Sequence, residues 1–346
     1  MHRSGTSAVT GLLQMMGAEL GDDLMPPWPD NEKGFFENNK IWNYNQQLLE
    51  SFNSSWDDPF LTQNWCTEHD LKDFKQPIKE LIDTQFGSSD LFAIKDPRLC
   101  ILLPLWKDIL DKMEIESVCV LPVRHPLEVA KSLQKRNKFS LEKGLLLWLN
   151  HVLSAERVSR DCCRIYLKFD DLFSNPEGIF ATVQKKLHLH FPKTLEGSNG
   201  QIRSFLNKNL KHHTESILGK SSMDRILAEL YDLFCQAASD KEEGPEWQQK
   251  VAGIGNEYHQ LYQFFMIEDL SQLAGCPQEL EQKKNEIVAL KEKLIGHQNQ
   301  YDNLRNEQEE LIKKKSSVQR ELEAMRNTKI WQMAEVLRRT FSGKKG

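Results

Sequence analysis

Short apolar runs and amphipathic stretches alternate along the first 273 residues of the chain. Strand-like runs occur at Leu91–Ile94, Val118–Val123 and Arg164–Phe169. Helical periodicity fills the spaces between them, as in Ala8–Met16, Pro104–Lys112, Leu127–Lys135 and Leu141–Arg160. Strands spaced by helices predict an α/β fold, a parallel sheet flanked by helices on both faces. Residues Glu196–Gly200 and Asp240–Pro245 read as turn-rich loops.

After Gly275-Cys276-Pro277 the period changes. Heptad a positions from Leu280 are Leu280, Ile287, Leu294, Tyr301, Gln308, Lys315 and Leu322; d positions are Lys283, Leu290, His297, Leu304, Leu311, Val318 and Met325. Ten of these fourteen are apolar or aromatic, a seam that predicts a C-terminal coiled-coil helix over 278–327. Ten Lys/Arg and ten Asp/Glu in the same stretch suit a solvated helix laced with ion pairs. The pattern implies a coiled-coil partner, a homodimer being one solution, with Gln308 and Lys315 weakening the seam. The domains are therefore 1–273, globular; 278–327, coiled coil; and 328–346, a basic amphipathic tail. Ile330, Trp331, Ala334, Leu337 and Phe341 share one face of that tail, near Arg338, Arg339, Lys344 and Lys345. Its readings stay open: peripheral contact with a membrane surface, or the end of the coiled-coil helix or a linker to a partner.

Composition narrows the class. The 346 residues carry 39% hydrophobic and 27% charged side chains, ordinary for a globular protein with a sizeable core. A net charge of −5 implies no general attraction to nucleic acid. Apolar runs such as Ile101–Trp106 and Gly144–Leu149 are too short to span a bilayer. The start has no basic-flanked apolar stretch of the secretory kind. Seven scattered cysteines without a C-x-x-C pair suggest reduced thiols, a cytoplasmic setting and no metal site. If the basic tail touches lipid, that setting is the inner face of the membrane.

Candidate chemistry begins with the first residues, "MHRSGTSAVTGLL". Ser4-Gly5-Thr6-Ser7 ahead of a helical run aims backbone N–H groups at whatever sits above the helix, where an anion is favoured. Gly5 permits close backbone approach, Thr6 and Ser7 bring hydroxyls, and Arg3 brings a forked charge. The alternative is a Ser-capped helix start. The loop lacks the lysine of a nucleotide P-loop, Thr6 standing in its place. Further on, "PVRHPLEVAKSLQKR" puts Arg124 at a strand end and Ser132 in the second turn of the next helix, where both could meet a phosphate; a surface arginine in a plain strand–turn–helix is the other reading. "FAIKDPRL" delivers Lys95, Asp96 and Arg98 to a strand's end. In "KGFFENN", Phe35 and Phe36 flank Glu37, which reads either as a desolvated base or as a solvated loop carboxylate.

Arg-Ser-Gly-Thr-Ser and Arg124-x-Pro-x-x-x-x-x-Ser132 resemble the two phosphate-binding motifs of sulfotransferases, and "GFFEN", "KDPR" and "DDLFSNPEG" resemble their bacterial carbohydrate-acting branch. The resemblance covers roughly Met1 to Leu273. It implies a P-loop NTPase-like fold and the co-substrate 3′-phosphoadenosine-5′-phosphosulfate, with no metal. It assigns His2, Arg3, Ser4, Gly5, Thr6 and Ser7 to the 5′-phosphosulfate and Arg124 with Ser132 to the 3′-phosphate. Glu37 resembles the family's catalytic carboxylate and Lys95 a lysine that steadies the sulfuryl group. Phe169 stands where the family has a tyrosine, and it is left out of the site. The implied acceptor is a glycan or other hydroxyl, with Trp56, Phe60 and Trp65 read either as a sugar-stacking surface or as core. Family members carry a strand just before the loop, so the resemblance leads us to expect a first strand missing from a truncated chain. Two rival functions remain: a P-loop kinase-like phosphotransferase, with Asp96 as a magnesium ligand, and an inactive coiled-coil scaffold.

Overall fold

The structure, a computed structural model, describes residues 1–28, 31, 33–52, 54–58, 71–193, 202, 205–206, 222–239, 243–274 and a few single residues beyond 309. The chain divides into two compact units, Met1–Gln260 and Leu261–Gly346. In the first, α1 (Thr6–Met15), α2 (Asn39–Ser51), α3 (Lys72–Phe86) and α4 (Leu99–Lys112) precede β1 (Val118–Val123). Then come α5 (Pro126–Asn137), α6 (Leu141–Val158), β2 (Cys163–Lys168), α7 (Asp171–Ser174), α8 (Pro176–Lys186) and α9 (Ser222–Ala238). The last described helix, α10 (Pro245–Ala274), runs into the second unit and ends just before Gly275.

The architecture is mixed α/β, a parallel pair of strands flanked by helices. β1 and β2 pair in register, Val118 opposite Cys163 through Val123 opposite Lys168. The connection between them is α5 and α6, the crossover that a parallel pair requires. Leu91–Ile94, expected as a strand, is instead extended backbone with one parallel bridge, Phe92 to Glu19. Glu19 N–H donates to Leu91 O and Ala93 N–H to Glu19 O, so pairing on that side stops after one residue. Between Leu91–Pro97 and β1 lies a cavity of about 800 Å³, walled also by Trp148 and His151 of α6. Two extended runs facing a cavity cannot complete each other's ladders, and this is why the expected broader sheet is a pair among the described residues. Burial and the neighbouring Met1 ammonium push His151 down to about 4, so the cavity wall is neutral there at physiological pH.

Local signals explain the helix starts. Asn38 accepts from the N–H groups of Lys40 and Ile41, Ser140 from Lys143, and Asn175 from Gly178, with proline at the first turn of α5 and α8. Helices α5 and α6 meet closely because Gly144 has no side chain: a Cβ there would lie 2.9 Å from the Ala130 backbone. One apolar core joins α1, β2 and α8 through Leu12, Ile165, Leu167, Phe180 and Val183. A second joins α2, α3 and α4 through Leu49, Ile82, Leu102 and Trp106. The expected coiled coil and tail, Phe60, Trp65 and the Glu196–Gly200 turn lie outside the described residues, apart from single positions beyond 309.

A buried ionic clamp ties the second core to the extended run. Arg98 Nη2 donates to Asp96 Oδ2 at 2.8 Å and Arg98 Nε to Oδ1 at 2.9 Å. Asn45 Nδ2 of α2 donates to the same carboxylate at 2.8 Å, and Trp106 Nε1 of α4 donates to Asn45 Oδ1 at 2.9 Å. Both charged side chains are almost wholly buried. Removing one partner strands the other charge in low dielectric, a cost of about 3–5 kcal/mol. Asp96→Ala is expected to lose stability of that size in urea denaturation, and a loss under about 1 kcal/mol would mean the clamp is not the anchor described.

Candidate functional site

The first loop does not cap its helix with a side chain. Gly5 is the N-cap residue at φ 94° and makes no side-chain cap bond to α1, and Arg3 also has a positive φ of 63°. Left-handed residues at alternate positions turn successive N–H groups to one side, a concavity suited to an anion. Gly5 cannot be replaced without strain: besides its positive φ, a Cβ would lie 2.3 Å from the Phe169 ring. Among the described residues, Ser4 Oγ and His2 Nε2 are buried without a hydrogen-bond partner. Buried polar atoms are normally satisfied, so two orphans on one short loop point to a ligand that would satisfy them. Burial above all, with nearby Arg136 and Lys95, holds His2 well below its ordinary pKa, so it is neutral at pH 7.

The other candidate residues gather around this loop. Arg3 Nε donates to Ser132 Oγ at 2.7 Å, and Arg124 Nη1 to the Arg3 carbonyl at 3.0 Å. Trp148 Nε1 donates to the Arg124 carbonyl at 3.0 Å, which fixes the strand end. Ser7 Oγ donates to Phe35 O at 3.2 Å and accepts from Asn31 Nδ2 at 3.4 Å, tying the loop to the turn that carries Glu37. Thr6 begins α1, and its carbonyl accepts from Thr10 Oγ1 at 2.9 Å.

Glu37 and Lys95 form a buried pair, Lys95 Nζ donating to Glu37 Oε1. Glu37 is delivered just before the Asn38 cap of α2, after Phe36 at φ 57°. Burial is the largest influence on its carboxyl and raises the pKa, as does Asp96; Lys95 and Arg98 pull the other way. The net direction is upward. Lys95 sits close enough to His2 for its charge to act there. The eight loop and phosphate-motif residues and the Glu37–Lys95 pair are therefore one connected neighbourhood.

Other residues form its walls. Phe169, passed over in the sequence, lies under Gly5 and beneath Arg124, whose guanidinium carbon is 4.2 Å from the ring centroid. The Trp56 ring lies 4.2 Å from that of His2 at a tilt of 52° and packs on Phe139, with Arg136 over it, so its neighbours are residues of the chain itself. Glu128, four residues after Arg124, accepts from Arg124 Nε at 3.0 Å; the i,i+4 spacing was the signal for it. Asp96 and Arg98 belong to the clamp rather than to the loop. Among the described residues no three His, Cys, Asp or Glu side chains gather as a metal-binding group. Comparison with protein-family models, with curated proteins and with solved structures yields no match to this chain.

Because the folded pKa of Glu37 is raised, the folded state keeps its proton where the unfolded chain has released it. The contribution of Glu37 to stability is thus greatest below the ordinary value of 4.5 and falls as pH rises through the raised one. Urea denaturation of wild type and Glu37→Gln between about pH 4 and 7 should show wild type losing stability relative to the variant as pH rises. A difference that grows in wild type's favour would contradict the raised pKa.

Proposed function

We propose that the chain is a sulfotransferase that moves a sulfuryl group from 3′-phosphoadenosine-5′-phosphosulfate to a hydroxyl, of carbohydrate class by resemblance. The observation that carries this reading is the uncapped, left-handed loop with orphaned Ser4 Oγ and His2 Nε2, joined to Arg124 and Ser132 through Arg3. It supplies one cradle for a phosphosulfate and, beside it, an arginine–serine pair for a second phosphate. The reading assigns the chain to a P-loop NTPase-like sulfotransferase fold, of which the parallel pair and its flanking helices are the coarser part.

The chemistry follows from the residues. Glu37, its basicity raised by burial, takes the proton of the acceptor hydroxyl as that oxygen attacks sulfur in line. The new O–S bond forms as the bond from sulfur to the 5′-phosphate oxygen breaks, and its electron pair leaves on adenosine 3′,5′-bisphosphate. Lys95, beside Glu37, neutralises charge gathering on the sulfuryl oxygens. The N–H groups of Gly5, Thr6 and Ser7 with the positive end of α1 stabilise the departing phosphate. Arg124 and Ser132 hold the 3′-phosphate away from the reaction and position the donor.

Glu37→Gln should lower turnover by about 10²–10⁴-fold in a radiolabelled sulfate-transfer assay while binding adenosine 3′,5′-bisphosphate as wild type does by calorimetry. In wild type, kcat/KM should rise with pH through a pKa above the ordinary carboxylate range, because only ionised Glu37 accepts the proton. Activity should survive excess chelator. Strict magnesium dependence would favour the kinase-like reading, and failure to bind the bisphosphate would favour the scaffold.

A further inference from the structure

Arg124 is already engaged by an anion of the protein's own. Its Nε donates to Glu128 Oε2 at 3.0 Å and its Nη1 to the Arg3 carbonyl at 3.0 Å. A guanidinium presents two edges that grip an oxyanion with two parallel bonds, one through Nε and Nη2, the other through Nη1 and Nη2. The Nε edge of Arg124 thus has a donor in use by Glu128, and Nη1 serves the Arg3 carbonyl. A phosphate gripped by two bonds through the Nε edge competes with the Glu128 carboxylate, and one gripped through Nη1 approaches the loop carbonyl. The carbonyl belongs to Arg3, fixed at φ 63° between the loop and Ser132, whereas Glu128 is a side chain with three rotatable bonds. Glu128 also stands in the first turn of α5, so its charge stays favoured by that helix end after it turns away.

We propose that Glu128 is an internal competitor for the phosphate at Arg124: carboxylate and 3′-phosphate exchange on the Nε edge, and this exchange sets the donor's affinity. The inference rests on the sulfotransferase reading. Thermodynamics fixes the direction of the effect. A contact made by the free protein and given up in the complex stabilises only the free state, so removing it tightens binding by what the free protein loses. Both side chains are close to fully buried, where charge-assisted bonds are strongest. The exchange also selects by charge: a ligand without a phosphate at this position has nothing to offer Arg124 in place of Glu128.

The test is calorimetry of wild type and Glu128→Gln with adenosine 3′,5′-bisphosphate and with adenosine 5′-phosphate, which lacks the 3′-phosphate. The glutamine keeps the shape and removes the charge. The expected result is roughly tenfold or more tighter binding of the bisphosphate, with the monophosphate unchanged. The free variant should also melt lower than wild type, and saturating bisphosphate should close the gap. Equal or weaker bisphosphate binding would make Glu128 a brace that positions Arg124 and would overturn the competitor role. An equal gain for both nucleotides would reduce it to a general charge effect and overturn it as well. If wild type binds neither nucleotide, the sulfotransferase reading falls and the exchange with it.

Discussion

The structure hangs on a buried carboxylate that must not be left alone. Asp96 takes bonds from Arg98 and Asn45, and Asn45 in turn takes one from Trp106, so a turn, α2 and α4 are locked by a single charge. Burying ions is costly in water-poor surroundings unless each finds its partners in good geometry. That demand leaves the segment little freedom. Lys95 directly precedes the clamp, and Glu37 directly precedes the cap of the helix the clamp holds. The pair at the candidate site is therefore positioned by residues that do not themselves meet the loop.

At the other side of the site the constraint is steric and dipolar. Gly5 lies against Phe169, Arg124 stacks on the same ring, and the Arg124 guanidinium holds the Arg3 carbonyl. One aromatic side chain from the end of β2 thus supports both the loop and the arginine. The loop leaves the first N–H groups of α1 without a side-chain cap, although Ser4 and Thr6 stand beside them. A helix start left without a side-chain cap keeps that end electropositive for something else.

Much of this was legible beforehand. Val118–Val123 reads as a strand and is one residue for residue, because an apolar run bounded by polar turns has few other ways to bury itself. Proline at 126 and serine at 140 mark the starts of α5 and α6 through fixed φ and capping. Glu37 after two phenylalanines leaves a desolvated base and a solvated loop carboxylate both open, and its burial decides for the first and raises its pKa. Leu91–Ile94 misleads, since an apolar run encodes extension but not whether a neighbour pairs with it. Asp96 and Arg98 look like site residues because charge beside a strand end carries no label saying which partner will bury it.

The sequence by itself determined the local matters: which segments coil or extend, where they start, and which short motifs bring hydroxyls, arginine and a hemmed-in acid. These depend on neighbours within a few residues, so periodicity and capping expose them. Only the tertiary structure decided who meets whom: Lys95 on Glu37 across 58 positions, Arg3 on Ser132 across 129, and Phe169 beneath Gly5. Those contacts arise where packing brings distant elements together and desolvates them. Desolvation makes a pair strong or an unpaired atom costly, and no stretch of chain carries it alone.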